Sequence, residues 1–218
     1  MQVPTDTNTY FRVSSKDVAK PSRNEHPPQY ASKNPTDSTL YSFSPVGTSA
    51  MAVIPHSENP LPKYHVSVRI NCFMPTSSIT EIYLGGDESG QKVGAFEMGV
   101  IAAPSVVRLG NRINNTAIAL TQAGTWGSWY WHPAGINEKY HLRWEYQKRP
   151  CICRSAIGTR PILAKFTPPA VHLSDELPLL EVTPEGQEYM DHILISLLLI
   201  ERKRLTPGRE ETNKDIFN

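Results

Sequence analysis

The sequence predicts a mostly β domain: a closed antiparallel barrel of about twelve strands around a central hydrophobic C-terminal helix. Three observations predict it. Short apolar segments, many of them alternating, recur from Thr39 to Val182 and are parted by Gly, Pro, Asn and Asp. Nineteen prolines are spread through 218 residues, which disfavours long helices. The exception is "MDHILISLLLIERKR" at 190–204, a run with an apolar residue on nearly every side of a helix. Such a helix needs surroundings on nearly every side, and the hollow of a wide barrel would supply them.

The elements follow in order. Residues 1–37 are rich in Ser, Thr, Asn, Pro and charge, and cannot bury enough apolar surface to offset ordering, so they read as a flexible arm. The domain then runs over 38–205. "TLYSFSPV" opens it. "YHVSVRINCF" alternates most clearly, with Val66, Val68, Ile70 and Cys72 on one face and His65, Ser67, Arg69 and Asn71 on the other. "SITEIYL" follows, then the turn residues Gly85, Gly86, Asp87 and Gly90. "QKVGAFEMGVI", "SVVRLG", "IALTQ", "WGSWYWH", "YHLRWEYQ", "PCICRS", "PILAKF", "AVHL" and "LPLLEV" complete the strand series. Thr183 is then placed to cap a helix, with Pro184 at its first position and Glu185 and Glu188 near its positive end. Arg202, Lys203 and Arg204 suit the other end, Pro207-Gly208 stops it, and 206–218 is a polar tail.

These motifs resemble a known arrangement. "LYSFSP", "PKYHVSV" with "SSITEIY", "YHLRWEYQ" with "ILAKF", and "PLLEVTPEGQEYMDHILISLLLIERKR" together look like the tubby C-terminal superfamily, which includes the LURP-one-related proteins and phospholipid scramblases. More closely, they are similar to a fungal branch of uncharacterised tubby-like domains. The resemblance implies a barrel threaded by its last helix, and a non-enzymatic intracellular module that binds an anionic, phosphoinositide-like membrane lipid or a protein partner.

Composition bounds the function. Net charge is +1, with 22 basic and 21 acidic residues, so no global field recruits nucleic acid. The charge-free run near the carboxyl end is about half of the ~20 residues needed to cross a bilayer, so a buried core helix is expected rather than a transmembrane one. The first residues lack a basic end followed by an apolar core. Cysteines 72, 151 and 153 are odd in number, which suits reduced thiols in an intracellular chain.

Four groups carry possible chemistry. Glu188, His192 and Ser196 are spaced to form one polar stripe on the helix, either a catalytic relay or a stripe satisfied by the surrounding strands; no oxyanion loop accompanies it. Trp129 and Trp131 share a strand face, as a platform for a sugar ring or as core, and core is the commoner place for large aromatics. Exposed, the pair would make the protein a carbohydrate-binding module. Cys151 and Cys153 lack the second cysteine pair that a zinc site commonly uses, so no metal and no cofactor are expected. Lys148, Arg149, Arg154, Arg160 and Lys165, with Lys139 and Arg143 nearby, could merge into a patch for anionic lipid headgroups, or be solvated faces that protect sheet edges. No nucleophile, metal cluster or phosphate loop stands out to favour an enzyme.

Overall fold

The computed structural model describes residues 37–99, 105–123, 127–147, 149–169 and 176–205. Thirteen strands form one antiparallel sheet. They are β1 (Thr39–Pro45), β2 (Ala50–Pro55), β3 (Tyr64–Asn71), β4 (Met74–Leu84), β5 (Lys92–Gly99), β6 (Val106–Leu109), β7 (Arg112–Asn115), β8 (Leu120–Gln122), β9 (Trp129–Trp131), β10 (Leu142–Glu145), β11 (Cys151–Ser155), β12 (Ile162–Thr167) and β13 (Leu179–Val182). A short helix, α1 (Thr116–Ala119), joins β7 to β8. The long helix α2 (Met190–Leu205) ends the described chain and is led in by a 3-10 turn, Glu185–Tyr189. The expected arm and tail lie outside the described residues, as does "AVHL".

Alternation builds the wall. Tyr41, Phe43, Val53, Tyr64, Val66 and Ile82 point inward from β1 to β4, and Trp131, Leu142, Trp144, Cys153, Ala164 and Leu180 do so from β9 to β13. All of them pack around α2. Ile193, Leu194, Ile195, Leu197, Leu199 and Ile200 are shut away from solvent, and at about 100° per residue they cover the whole circumference. The greasy run is therefore the centre of the core. Contact with β5 is close: a Cβ on Gly94 would lie 2.6 Å from Cδ1 of Ile195.

The expected closure is overturned. The strand order runs β7-β6-β5-β4-β3-β2-β1-β13-β12-β11-β10-β9-β8, and among the described residues β7 and β8 are not paired with each other. The sheet curls around the helix but is not a closed barrel. Parity gives the reason. Every neighbouring pair is antiparallel, so with thirteen strands the two edges run in the same direction. Joining parallel neighbours needs a crossover of a dozen or more residues. Only the four residues of α1 lie between β7 and β8. They fill the seam instead: Asn115 accepts from the Ala117 amide at 2.8 Å to start the helical turn, Thr116 N–H donates to Ser105 C=O beside β6, and His132 N–H donates to Ala119 C=O beside β9.

One face assignment also changes. The inward run of β3 ends early: Val68 is only partly buried, Ile70 on the same face is exposed, and the register shifts just after it, between Ile70 and Asn71. Ile70 is left 71% exposed and Cys72 is exposed, where strict alternation would have buried both.

Candidate functional site

The polar stripe of the helix is taken up by the wall. Trp131 Nε1–H donates to His192 Nδ1 at 3.2 Å, and Trp144 Nε1–H donates to Ser196 Oγ at 2.9 Å. The Ser196 hydroxyl in turn donates to the Ile193 carbonyl at 3.1 Å. Glu188 pairs with Lys139 at 2.8 Å on the surface. The stripe thus gives three separate attachments. Tyr140 stacks on the His192 ring at 4.7 Å, and burial pushes the His192 imidazole below its usual range, which favours the neutral form that accepts from the indole. Beside it, Tyr64 donates to Asp191 at 2.6 Å and Tyr41 donates to Gln187 at 2.9 Å. Burial and then the Asp191 charge hold the Tyr64 phenol far above its ordinary pKa, so it stays a donor.

This attachment fixes the sign of a mutation. Ser196→Ala leaves the buried Trp144 indole without an acceptor and should cost about 1–3 kcal/mol. Trp144→Phe removes the orphaned donor. In a denaturation series the double variant should therefore lose clearly less than the two singles summed. Additivity within about 0.5 kcal/mol would refute the coupling.

The tryptophan platform is not presented. Trp131 is 0% exposed and Trp129 is 9% exposed, both facing the core. Both serve the helix: the Trp131 N–H reaches His192, and Lys203 Nζ sits 5.5 Å from the Trp129 ring centre. The carbohydrate reading therefore lacks the exposed pair it required. Cys151 and Cys153 also face inward; burial pushes the Cys151 thiol up to about 11 and the Cys153 thiol well above its usual value. They behave as small apolar core groups.

The basic cluster does not come together. Lys165 pairs with Glu181 across β12 and β13 at 3.1 Å, and Arg154 lies 3.5 Å from Glu145. Arg160 sits in the β11–β12 connection, on the side where the helix begins, and its carbonyl accepts from Arg154. There a pocket of about 510 Å³ is lined in part by Lys139, Glu185 and Glu188, so acids offset its cation. Arg149 belongs to the β10–β11 connection, at the opposite end. Lys148 lies outside the described residues.

A different cationic surface forms at that opposite end, where α2 finishes. Arg202, Lys203 and Arg204 occupy its last turn. Arg202 Nη2 donates to Ser78 Oγ at 3.1 Å, which ties the helix end to β4 directly opposite Ile70 of β3. Arg204 lies 5.0 Å from the Tyr146 ring centre and pairs with Glu201 at 2.8 Å. Arg149 lies in the β10–β11 connection at this same end. Neither Arg149 nor Lys203 makes an ion pair with a described acid. On the same rim the β3–β4 turn carries Phe73, 97% exposed, beside Ile70. Of the acids there, Glu97 is bound by Asn71 and Ser77, and Glu145 and Glu201 pair with arginines; exposed Glu176 has no such partner among the described residues.

The model of a family of unknown function (DUF6593) matches residues 46–206. The chain belongs to that family. No curated protein and no solved structure matches it. The matched span of this DUF6593 domain covers β2 to β13 and α2, so both the attachment of the helix and the rim at its end lie within it. Sequence reasoning assigned Arg202, Lys203 and Arg204 only to the helix dipole. It missed Phe73 as a site residue by extending the β3 pattern through it. The available signal was a large aromatic where the Asn71-Cys72-Phe73 turn should favour small or polar residues.

Proposed function

We propose that this DUF6593 domain is a non-enzymatic binding module that docks on anionic membrane lipid through the rim where α2 ends. One observation carries the reading: Arg202, Lys203 and Arg204 in the last turn of α2 stand at the end of the domain where the β3–β4 turn exposes Ile70 and Phe73, and Arg202 bonds to Ser78 directly opposite Ile70. Cations beside apolar side chains match a surface that is negative at its headgroups and greasy beneath them. Along the helix region itself, Glu185, Glu188 and Asp191 stand near the start and Arg202, Lys203 and Arg204 in the last turn. The resemblance to tubby-like domains points toward a lipid ligand as well. Among the described residues no helix is long and apolar enough to cross a membrane, so contact through this rim would be peripheral unless strands or other residues cross.

Sedimentation with vesicles tests it. The domain should pellet with phosphatidylserine-containing vesicles, less so as salt rises, and weakly with phosphatidylcholine alone. Each basic residue near such a surface contributes about 1 kcal/mol, so Arg202→Gln, Lys203→Gln and Arg204→Gln together should weaken binding about 100-fold. A thermal melt alongside checks folding. Equal binding by parent and triple variant, or no binding to acidic vesicles by either, would discard the proposal.

A further inference from the structure

The membrane reading leaves open whether the rim only touches headgroups or also enters the layer beneath. Resting on that reading, we infer that the β3–β4 turn is a membrane-inserting tip, with Phe73 and Ile70 entering the boundary between lipid headgroups and acyl chains.

The argument starts from how the tip is held. Asn71 and Met74 are paired, so Cys72 and Phe73 form a two-residue turn. The side-chain oxygen of Asn71 accepts from the Phe73 amide at 3.0 Å, and its amide nitrogen donates to Glu97 at 2.7 Å. Ser77 Oγ–H donates to the same carboxylate oxygen at 2.7 Å. Those two bonds hold the Glu97 carboxyl below its ordinary range, so the clamp is in its charged, acceptor form at neutral pH. A polar frame in the sheet thus fixes a greasy point outside it.

The apolar side chains at this point have no folding role. Phe73 at 97% exposure contributes no burial to the domain. Ile70 lines an open groove of about 630 Å³ with Phe43, Met51, Val68, Leu177 and Pro178, so apolar surface continues inward from the tip. One cation of the helix end, Arg202, is joined to this hairpin through Ser78. Held at headgroup level by charge, the rim would bring Phe73 about 5–10 Å into the interface, the depth reached by apolar faces of peripheral helices.

Cys72 makes the test direct. It is exposed at the tip, while Cys151 and Cys153 are buried and held as thiols, so a thiol-reactive fluorophore goes to Cys72. The full chain carrying an environment-sensitive nitrobenzoxadiazole label there is mixed with equimolar phosphatidylserine–phosphatidylcholine vesicles. The expected result is a blue-shifted, brighter emission that is quenched by lipids brominated near the headgroup end of the acyl chain. Unlabelled Phe73→Ser should bind the same vesicles at least about tenfold more weakly, with an unchanged salt slope and melting temperature. Sedimentation without any emission change, or full-strength binding by Phe73→Ser, overturns insertion and leaves the charge reading standing. Failure to sediment overturns both. An emission shift that needs only concentrated protein and no vesicles would assign the tip to a second copy and overturn insertion.

Discussion

Gly186→Ala should destabilise the domain by about 3 kcal/mol, although the residue lies in a helical lead-in where alanine is the better former by about 1 kcal/mol. The two effects oppose each other, and geometry decides between them. A Cβ at 186 would lie 2.0 Å from the Leu163 carbonyl oxygen and 2.9 Å from Cγ1 of Val182. A backbone carbonyl near the start of β12 cannot swing away as a side chain can. It is also in use. Thr183 N–H donates to it at 3.0 Å, the Thr183 hydroxyl lies 3.1 Å from it, and that hydroxyl accepts from the Gly186 amide at 3.1 Å. Relief would require the start of the helix region to lift off β12, breaking this set together. Urea unfolding should show a lower midpoint with an unchanged slope. A midpoint shift worth less than about 0.5 kcal/mol would mean that the approach is looser than described.

That prediction shows what was legible in the sequence. Thr183 and Pro184 announced the start of the helix, and the hydroxyl does accept from the amide three residues on. Uniform greasiness announced a central helix, since no single stripe could be satisfied by one neighbour. The alternation of "YHVSV" placed Val66 in the core, but His65 and Ser67 on the opposite face are buried too, so β3 does not have the single buried face that was expected. What misled was counting. "AMAVIP" does not alternate and "RINN" has one aliphatic residue, so β2 and β7 were passed over, while "IALTQ" is half helix. Whether the edges can pair antiparallel depends on the strand count, a global property that a missed short strand reverses. No local pattern encodes it.

The site was less legible for a related reason. Lys148, Arg149, Arg154, Arg160 and Lys165 are neighbours in sequence, but a hairpin sends successive turns to opposite ends and successive side chains to opposite faces. Arg149 and Arg160 are therefore separated by the length of β11, and the outward cations of β11 and β12 meet carboxylates on adjoining strands. The rim draws instead on the β3–β4 turn, the β10–β11 connection and the end of α2, segments about 50 or more residues apart. The indoles illustrate the same limit. Their burial followed from size, but their role followed from N–H groups reaching His192 and Ser196 on the helix, a cross-chain match visible only in three dimensions.

The largest expected loss comes from the middle of the rod. Leu194 is fully buried, and Leu194→Ala should cost about 2–5 kcal/mol, because the removed atoms leave a cavity that a surrounding sheet cannot collapse into freely. Leu198, one turn onward along the same side, is only partly buried, and Leu198→Ala should cost less than half as much. Alanine is the stronger helix former at both places, so neither loss can be assigned to helix propensity. Parallel denaturation curves read the difference directly, and equal losses would contradict a helix whose Leu198 side is less enclosed than its Leu194 position. The gradient also separates two jobs along one element. Exposure increases from partly buried Glu201, Arg202 and Lys203 to exposed Arg204 and Leu205, so the charges that face the rim stand beyond the stretch that holds the sheet together. Folded Leu194→Ala protein should therefore sediment with acidic vesicles as the parent does, whereas the glutamine substitutions at 202–204 should lose vesicles while the protein still melts cooperatively at a temperature above that of the assay.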